Sequence, residues 1–170
     1  MTKNKKLVVS GLLIAIAVVG SMFSFPVLGS KCSPVQHMVN VLAAVCLGPW
    51  YGVIMAFAAS VIRIFAGLGT FMAFPGSMCG ALLAGILYKM GKKLPFACIG
   101  ELIGTSVVGG LLAYPVAFLI MGNESAALFG YIVPFLISSV GGTVIAALLV
   151  IALNKTGVLK EFENDRKAAK

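Results

Sequence analysis

Residues 7–30 read LVVSGLLIAIAVVGSMFSFPVLGS, a stretch of 24 residues without a charged side chain. Four further uncharged runs follow it, at residues 32–62, 64–88, 102–123 and 125–154. A helix needs about 20 mostly apolar residues to cross the hydrocarbon core of a bilayer. The pattern predicts an all-α integral membrane protein, whose function must operate inside a bilayer.

The overall composition supports this interpretation. The chain is 60% hydrophobic and 11% charged, with a mean hydropathy of +1.06. A water-soluble domain of 170 residues could not cover so much apolar surface with polar groups. We therefore expect residues 1–170 to form a single membrane domain.

The net charge of +8 reflects topology and does not indicate a nucleic-acid partner. Eleven of the 13 Lys and Arg residues fall into three clusters, at residues 3–6, 89–93 and 155–170. An even number of helices brings these clusters to one side of the membrane, in agreement with the positive-inside rule. We expect both termini in the cytoplasm of a multi-pass cell-membrane protein, with Cys32 reachable from outside.

Glycine and proline residues divide the apolar runs into six predicted transmembrane helices. Residues 67–75 combine Gly and Pro with little charge, which predicts a loop or re-entrant segment. Residues 29–34 are predicted to be a short polar loop. The expected spans are about 7–27, 35–47, 51–66, 76–90, 96–121 and 127–153, with a charged cytoplasmic tail at 155–170.

Polar side chains within these spans are candidate functional residues, because burying them in lipid costs free energy. They gather toward the outer side, where they would form a cup of hydrogen-bonding groups with aromatic walls. Its cations and near lack of carboxylates favour a neutral ring or an anion over a cation as ligand. The candidate substrate-binding residues are Lys31, Gln36, His37, Asn40, Arg63, Thr70, Phe74, Ser77, Tyr114 and Tyr131.

Several of these residues have a structural alternative. His37 could bond a neighbouring carbonyl, Arg63 could extend to the lipid headgroups, and the tyrosines could lie at the membrane interface. Glu101 is expected about 11 Å above the inner loop, either protonated or paired with a cation or a polar network. A structural and a functional role are both open for it.

Specific blocks of the sequence are similar to those of a known family. They are KCSPVQHMVN at residues 31–40, LGPWY at 47–51, Arg63, Gly69-Thr70, FPGS at 74–77 and Tyr114-Pro115. Together they resemble ThiW, a family of substrate-binding S components of energy-coupling factor (ECF) transporters. The resemblance covers about residues 5–155. It implies a six-transmembrane-helix bundle that captures hydroxyethylthiazole, a thiamin precursor, from outside.

The resemblance also implies protein partners. These are a transmembrane T component and two cytoplasmic ATPase subunits, which would drive import by toppling the S component. The family docks the T component on small residues four apart in helix 1, which are Gly11 and Ala15 here. The sequence has no Gly-x-x-x-x-Gly-Lys loop, so energy would come from a partner or transport would be passive. No catalytic residue, metal or cofactor is expected.

Three alternatives remain. The substrate could be the thiazole phosphate or another small neutral or anionic aromatic vitamin. A membrane scaffold would need only the small-residue stripes, but it leaves the polar cup unexplained. An intramembrane enzyme could use His37 and Glu101 as acid and base, although their expected depths differ by half a bilayer.

Overall fold

The structure departs from the prediction after the first helix. In the computed structural model, which describes residues 2–28, 30–157, 159 and 162, helix α1 covers Lys3–Gly20 and continues as a short 3₁₀ turn. Strands β1 (Phe25–Val27) and β2 (Ser30–Cys32) then pair as an antiparallel hairpin. The hairpin replaces the predicted end of the first helix and the predicted loop, because Pro26 has no N–H for a continuing helix.

The remaining helices follow the apolar runs, with shifted ends. They are α2 (Pro34–Cys46), α3 (Pro49–Phe65), α4 (Ala73–Gly91), α5 (Leu94–Ile120) and α6 (Ile132–Lys155). Two stretches of α5, Ile103–Gly109 and Val116–Ile120, are π-helical. The predicted loop at 67–75 already becomes helical at Ala73, and the last helix begins five residues later than expected. Most of the predicted tail at 155–170 lies outside the described residues.

Helix α2 is the central helix of the bundle. It has 13 residues and therefore rises about 20 Å, less than the roughly 30 Å hydrocarbon core. Every residue from Gln36 to Cys46 is buried, mainly against α1, α4 and α6. Within the described residues, four helices are long and apolar enough to cross a membrane by themselves, namely α1 with its 3₁₀ turn, α4, α5 and α6. A short α2 is tolerated because protein surrounds it.

Small residues bring α4 and α5 into close backbone contact. A Cβ atom added to Gly100 would lie 2.5 Å from the carbonyl oxygen of Leu83, and one added to Gly104 would lie 2.5 Å from that of Cys79. Contacts this short leave room only for hydrogen at these positions. The four-residue spacing of small residues here serves packing inside the bundle.

The described parts of the three basic clusters lie at the same end of the molecule. Lys5 lies over the ring of Phe162, with 5.5 Å between the ammonium nitrogen and the ring centroid. Phe162 shares a groove with Lys92 of the 89–93 loop and Asn154 at the end of α6. The β-hairpin and the first turns of α2, α4 and α6 form the opposite end.

We predict that the basic end faces the cytoplasm and the hairpin faces outward. Cys32 was expected to be reachable by a thiol reagent from outside, but it is 1% exposed and its thiol donates to the Pro134 carbonyl. The neighbouring position 31 is exposed and is the better place for a cysteine to be labelled. In a chain without the native cysteines, Lys31→Cys should react with an impermeant maleimide in intact cells, and Lys92→Cys should not. Labelling of Lys92→Cys alone would reverse the orientation.

We also predict that Gly104→Ala destabilises the bundle. The new methyl group would meet the Cys79 carbonyl, a backbone atom that cannot turn away as a flexible side chain can. Overpacking of this kind typically costs about 1–3 kcal/mol. The thermal unfolding temperature of the detergent-purified protein measures the effect.

Gly11→Ala is the matched control. No atom lies within 4 Å of a Cβ added at Gly11, and alanine is a better helix former by about 1 kcal/mol. The unfolding temperature of this variant should stay the same or rise. A fall of equal size in both variants would contradict the close contact between α4 and α5.

Candidate functional site

A pocket opens at the hairpin end of the bundle. It encloses about 510 Å³ of empty space, a volume that includes its open mouth. Strand β2, the first turns of α2, α4 and α6, the end of α3 and the middle of α5 supply its wall. The lining residues are Lys31, Ser33, Gln36, His37, Arg63, Gly69, Thr70, Met72, Ala73, Gly76, Ser77, Thr105, Phe135 and Ser138.

A chain of side-chain hydrogen bonds leads from this pocket into the bundle. Arg63 donates through Nη1 to Oε1 of Gln36 (3.2 Å). Gln36 donates through Nε2 to Oδ1 of Asn40 (3.4 Å), and Asn40 donates through Nδ2 to Oε1 of Glu101 (3.0 Å). A guanidinium only donates, so Gln36 must turn its amide oxygen toward Arg63 and its amide nitrogen toward Asn40. The guanidinium thereby sets the orientation of both amides.

Glu101 is the acceptor on which this network converges. Its side chain is fully buried, and its Oε1 also lies 2.8 Å from His37 Nδ1 and 2.9 Å from the Thr105 hydroxyl. A Cβ at Gly80 would fall within 2.8 Å of both carboxylate oxygens, so only glycine leaves them room. A buried carboxylate without partners would cost several kcal/mol, and the donors to Oε1 offset part of that cost, while Oε2 is buried with no partner among the described residues.

His37 connects the carboxylate to the pocket. Its Nδ1 is held by Glu101, while the residue itself lines the pocket wall. The contact with Glu101 therefore occupies Nδ1 of the imidazole ring. Nε2 is then the ring nitrogen left for a ligand, with an orientation set by the carboxylate.

The apolar part of the wall comes from Met72, Ala73 and Phe135. Phe135 stacks at a tilt against Tyr131, with 6.4 Å between ring centroids, and a Cβ at Gly76 would lie 3.0 Å from its ring. These contacts hold the aromatic ring in one position. The pocket thus pairs a fixed aromatic surface with a polar floor.

Six of the ten predicted site residues line the pocket. They are Lys31, Gln36, His37, Arg63, Thr70 and Ser77. Asn40 lies one layer deeper, where its amide donates to the Ser77 carbonyl as well as to Glu101. It would act on a ligand through these partners.

Three predicted aromatic residues lie away from the lining. Phe74 packs against Phe57, with 5.5 Å between ring centroids. Tyr114 stacks on Phe118, and Tyr131 packs behind the pocket wall in an apolar cluster that includes the lining residues Met72 and Phe135. The structure brings Phe135 to the pocket as the aromatic wall in their place.

Sequence reasoning missed eight lining residues. Thr105 could have been found, because it follows Glu101 by one helical turn and shares its face. Phe135 and Ser138 lie three residues apart near the start of α6, a weaker signal of the same kind. The pocket faces of the others have no recognisable pattern in the sequence; they are Ser33, Gly69, Met72, Ala73 and Gly76.

The expected separation in depth between His37 and Glu101 was wrong. Their side chains are in hydrogen-bonding contact at 2.8 Å. Since α2 is about 10 Å shorter than the hydrocarbon core, its first turn can lie level with the second turn of α5. A difference in depth between His37 and Glu101 therefore no longer argues against acid–base chemistry. The choice between an enzyme and a transporter depends on the family to which the chain belongs.

Comparisons with known proteins identify this family. The model of the ThiW family, described as a thiamine-precursor transporter protein, matches residues 7–156. The solved structure of the S component of a bacterial ECF transporter is similar in fold, with a TM-score of 0.77. The two chains are 24% identical, over 91% of this chain and 98% of that one. A comparison with curated proteins gave no match.

The family match spans most of the chain, and the structural likeness independently supports the same fold. A transporter family also accounts for the long apolar helices, and it makes this a membrane transport protein. The chain belongs to the ThiW family of thiamine-precursor transporter proteins, and its fold is that of an ECF-transporter S component.

Proposed function

We propose that this chain captures hydroxyethylthiazole, a thiamin precursor, at the outer face of the cell membrane for ATP-driven import. The observation that carries the proposal is the pocket at the hairpin end, in a chain of a thiamine-precursor transporter family. A neutral heteroaromatic ring needs an aromatic surface, a partner for its ring nitrogen and a partner for its hydroxyl. Phe135, His37 and the hydroxyl groups of Ser77 and Thr70 supply such groups.

The proposed arrangement in the membrane has six spans with both termini in the cytoplasm. The basic clusters at one end and the pocket at the other support it, since the substrate would then enter from outside. The short helices α2 and α3 count as spans because the neighbouring helices complete the bundle around them.

The proposed partners are a transmembrane T component and two cytoplasmic ATPase subunits. The similarity to an ECF S component supports them. The small residues Gly11 and Ala15 are exposed near the middle of α1, together with the apolar side chains of Val8 and Leu12. Small residues on a lipid-facing helix permit close approach of a partner helix.

We predict that His37→Ala and Asn40→Ala each weaken thiazole binding. The His37→Ala substitution would remove a direct contact with the ligand. The Asn40→Ala substitution would remove the hydrogen bonds that hold Gln36 and Glu101 in position. Loss of one buried hydrogen bond costs about 1–3 kcal/mol, which corresponds to roughly 5- to 150-fold in affinity. Calorimetry on the detergent-purified variants measures this.

Asn154→Ala is the control for the amide substitution. Asn154 is exposed at the opposite end of the molecule, so its removal should leave the affinity unchanged. Wild-type affinity in both His37→Ala and Asn40→Ala would move the binding site away from this pocket.

We further predict that Gly11→Trp or Ala15→Trp abolishes uptake and co-purification with the T component, while thiazole affinity stays nearly unchanged. A bulky side chain would hold a partner helix away from α1. It would not disturb the bundle, because both residues are exposed and no atom lies within 4 Å of a Cβ at Gly11. Affinity and pull-down are measured on the same preparation.

Leu148→Trp is the matched control for this surface. Leu148 is 66% exposed on α6 at a similar distance from the basic end, but on a different helix. It should leave uptake and co-purification intact. Parallel loss of binding and assembly in the α1 variants would mean that these residues support the fold instead of a partner.

A further inference from the structure

Arg63 is a buried cation without an opposite charge beside it. Its side chain is 4% exposed, and it lines the pocket at the end of α3. Nη1 donates to Gln36, but the Nε–H has no acceptor among the described residues. Within the residues that the structure describes, Arg63 forms no ion pair with a carboxylate, and none of the lining residues is acidic.

Glu101 does not neutralise this guanidinium directly. Two amide side chains separate them, and Oε1 of Glu101 already accepts from His37, Asn40 and Thr105. Burying a guanidinium without a direct counter-ion is costly. Arg63 lines the pocket, so an anionic ligand bound there would offset the cost of burying its guanidinium.

Two further groups extend the positive side of the pocket. Lys31 lies exposed at its mouth on β2. Ser33, at the N-terminus of α2, also lines it, is 4% exposed, and has a hydroxyl oxygen without a partner among the described residues. A helix N-terminus carries partial positive charge, so the end of α2 adds to the same field.

We propose that the pocket recognises an anionic oxygen group of its substrate through Arg63, and that the phosphate monoester of the thiazole alcohol is therefore preferred over the alcohol. The inference rests on the proposed function, and it adds the charge of the substrate. A phosphate monoester offers three acceptor oxygens, which match the Nε–H of Arg63, the ammonium of Lys31 and the Ser33 hydroxyl. The ring would occupy the part of the pocket beside Phe135 and His37.

Calorimetry with the thiazole alcohol and with its phosphate ester tests this on the full-length protein in detergent. Wild-type protein should bind the ester at least about 10-fold more tightly than the alcohol, because a hydrogen bond to a charged group is stronger than a neutral one. Arg63→Gln removes the guanidinium and also frees Gln36, so it should weaken binding of both compounds, but binding of the ester at least about 10-fold more than that of the alcohol. Added salt should weaken only the ester complex.

Lys31→Gln keeps the test decisive if Arg63→Gln does not fold. Lys31 is exposed, so its replacement leaves the bundle intact, and it should weaken binding of the ester more than that of the alcohol. Arg63→Lys keeps the charge without the fork of donors and should retain part of the preference. Equal or tighter binding of the alcohol by the wild type, or an unchanged preference in Arg63→Gln, would overturn the anion site.

A third probe separates this inference from the function it rests on. If neither thiazole compound binds but inorganic phosphate binds in an Arg63-dependent manner, the anion site stands and the thiazole assignment fails. If the alcohol alone binds, the function stands and the anion site fails. Absence of binding by all three probes would overturn both.

Discussion

The architecture depends on one buried carboxylate. Glu101 lies on α5 in the interior of an apolar bundle, where an ionised group is stable only if donors surround it. The donors come from two helices, His37 and Asn40 on α2 and Thr105 on α5 itself. Glycine at position 80 on α4 leaves the space that the carboxylate occupies. Three helices are thereby fixed in relative depth and rotation, which apolar packing in lipid could not do alone.

This constraint also shapes the pocket. The hydrogen bonds run in one direction from Arg63 to Glu101. The donor Arg63 therefore lines the pocket, while the carboxylate that accepts lies deeper in the bundle. His37 is the exception, since it touches both the carboxylate and the pocket. A ligand that changes the hydrogen bonding of His37 or Arg63 would therefore act on the contact between α2 and α5. The lining of the pocket and the packing of the central helix share the same residues.

The sequence predicted most of the helices and several of the polar groups that line the pocket, but not how these groups meet. Apolar runs and charge clusters identify the helices because lipid imposes both. Six of ten candidate residues line the pocket. They could be identified because a polar side chain within a membrane span costs free energy unless it faces a cavity or a partner. The contact between His37 and Glu101 was not predictable, since periodicity gives the face of a residue on its helix and not the depth of one helix against another. Phe135 was missed for the same reason, and the hairpin because three-residue strands have almost no pattern.

The two ends of the molecule are built differently, and this difference suits the proposed function, in which substrate binds at one end and a partner protein docks along α1. The pocket end is stabilised by the hydrogen bonds around Glu101 and by close backbone contacts between α4 and α5. The middle of α1 has no such ties on its exposed side, where Gly11 meets no neighbour. A partner helix can therefore approach α1 without disturbing the residues that hold the substrate. Coupling between the two would pass through α2, which packs against α1 along its apolar face and carries His37 at its pocket end.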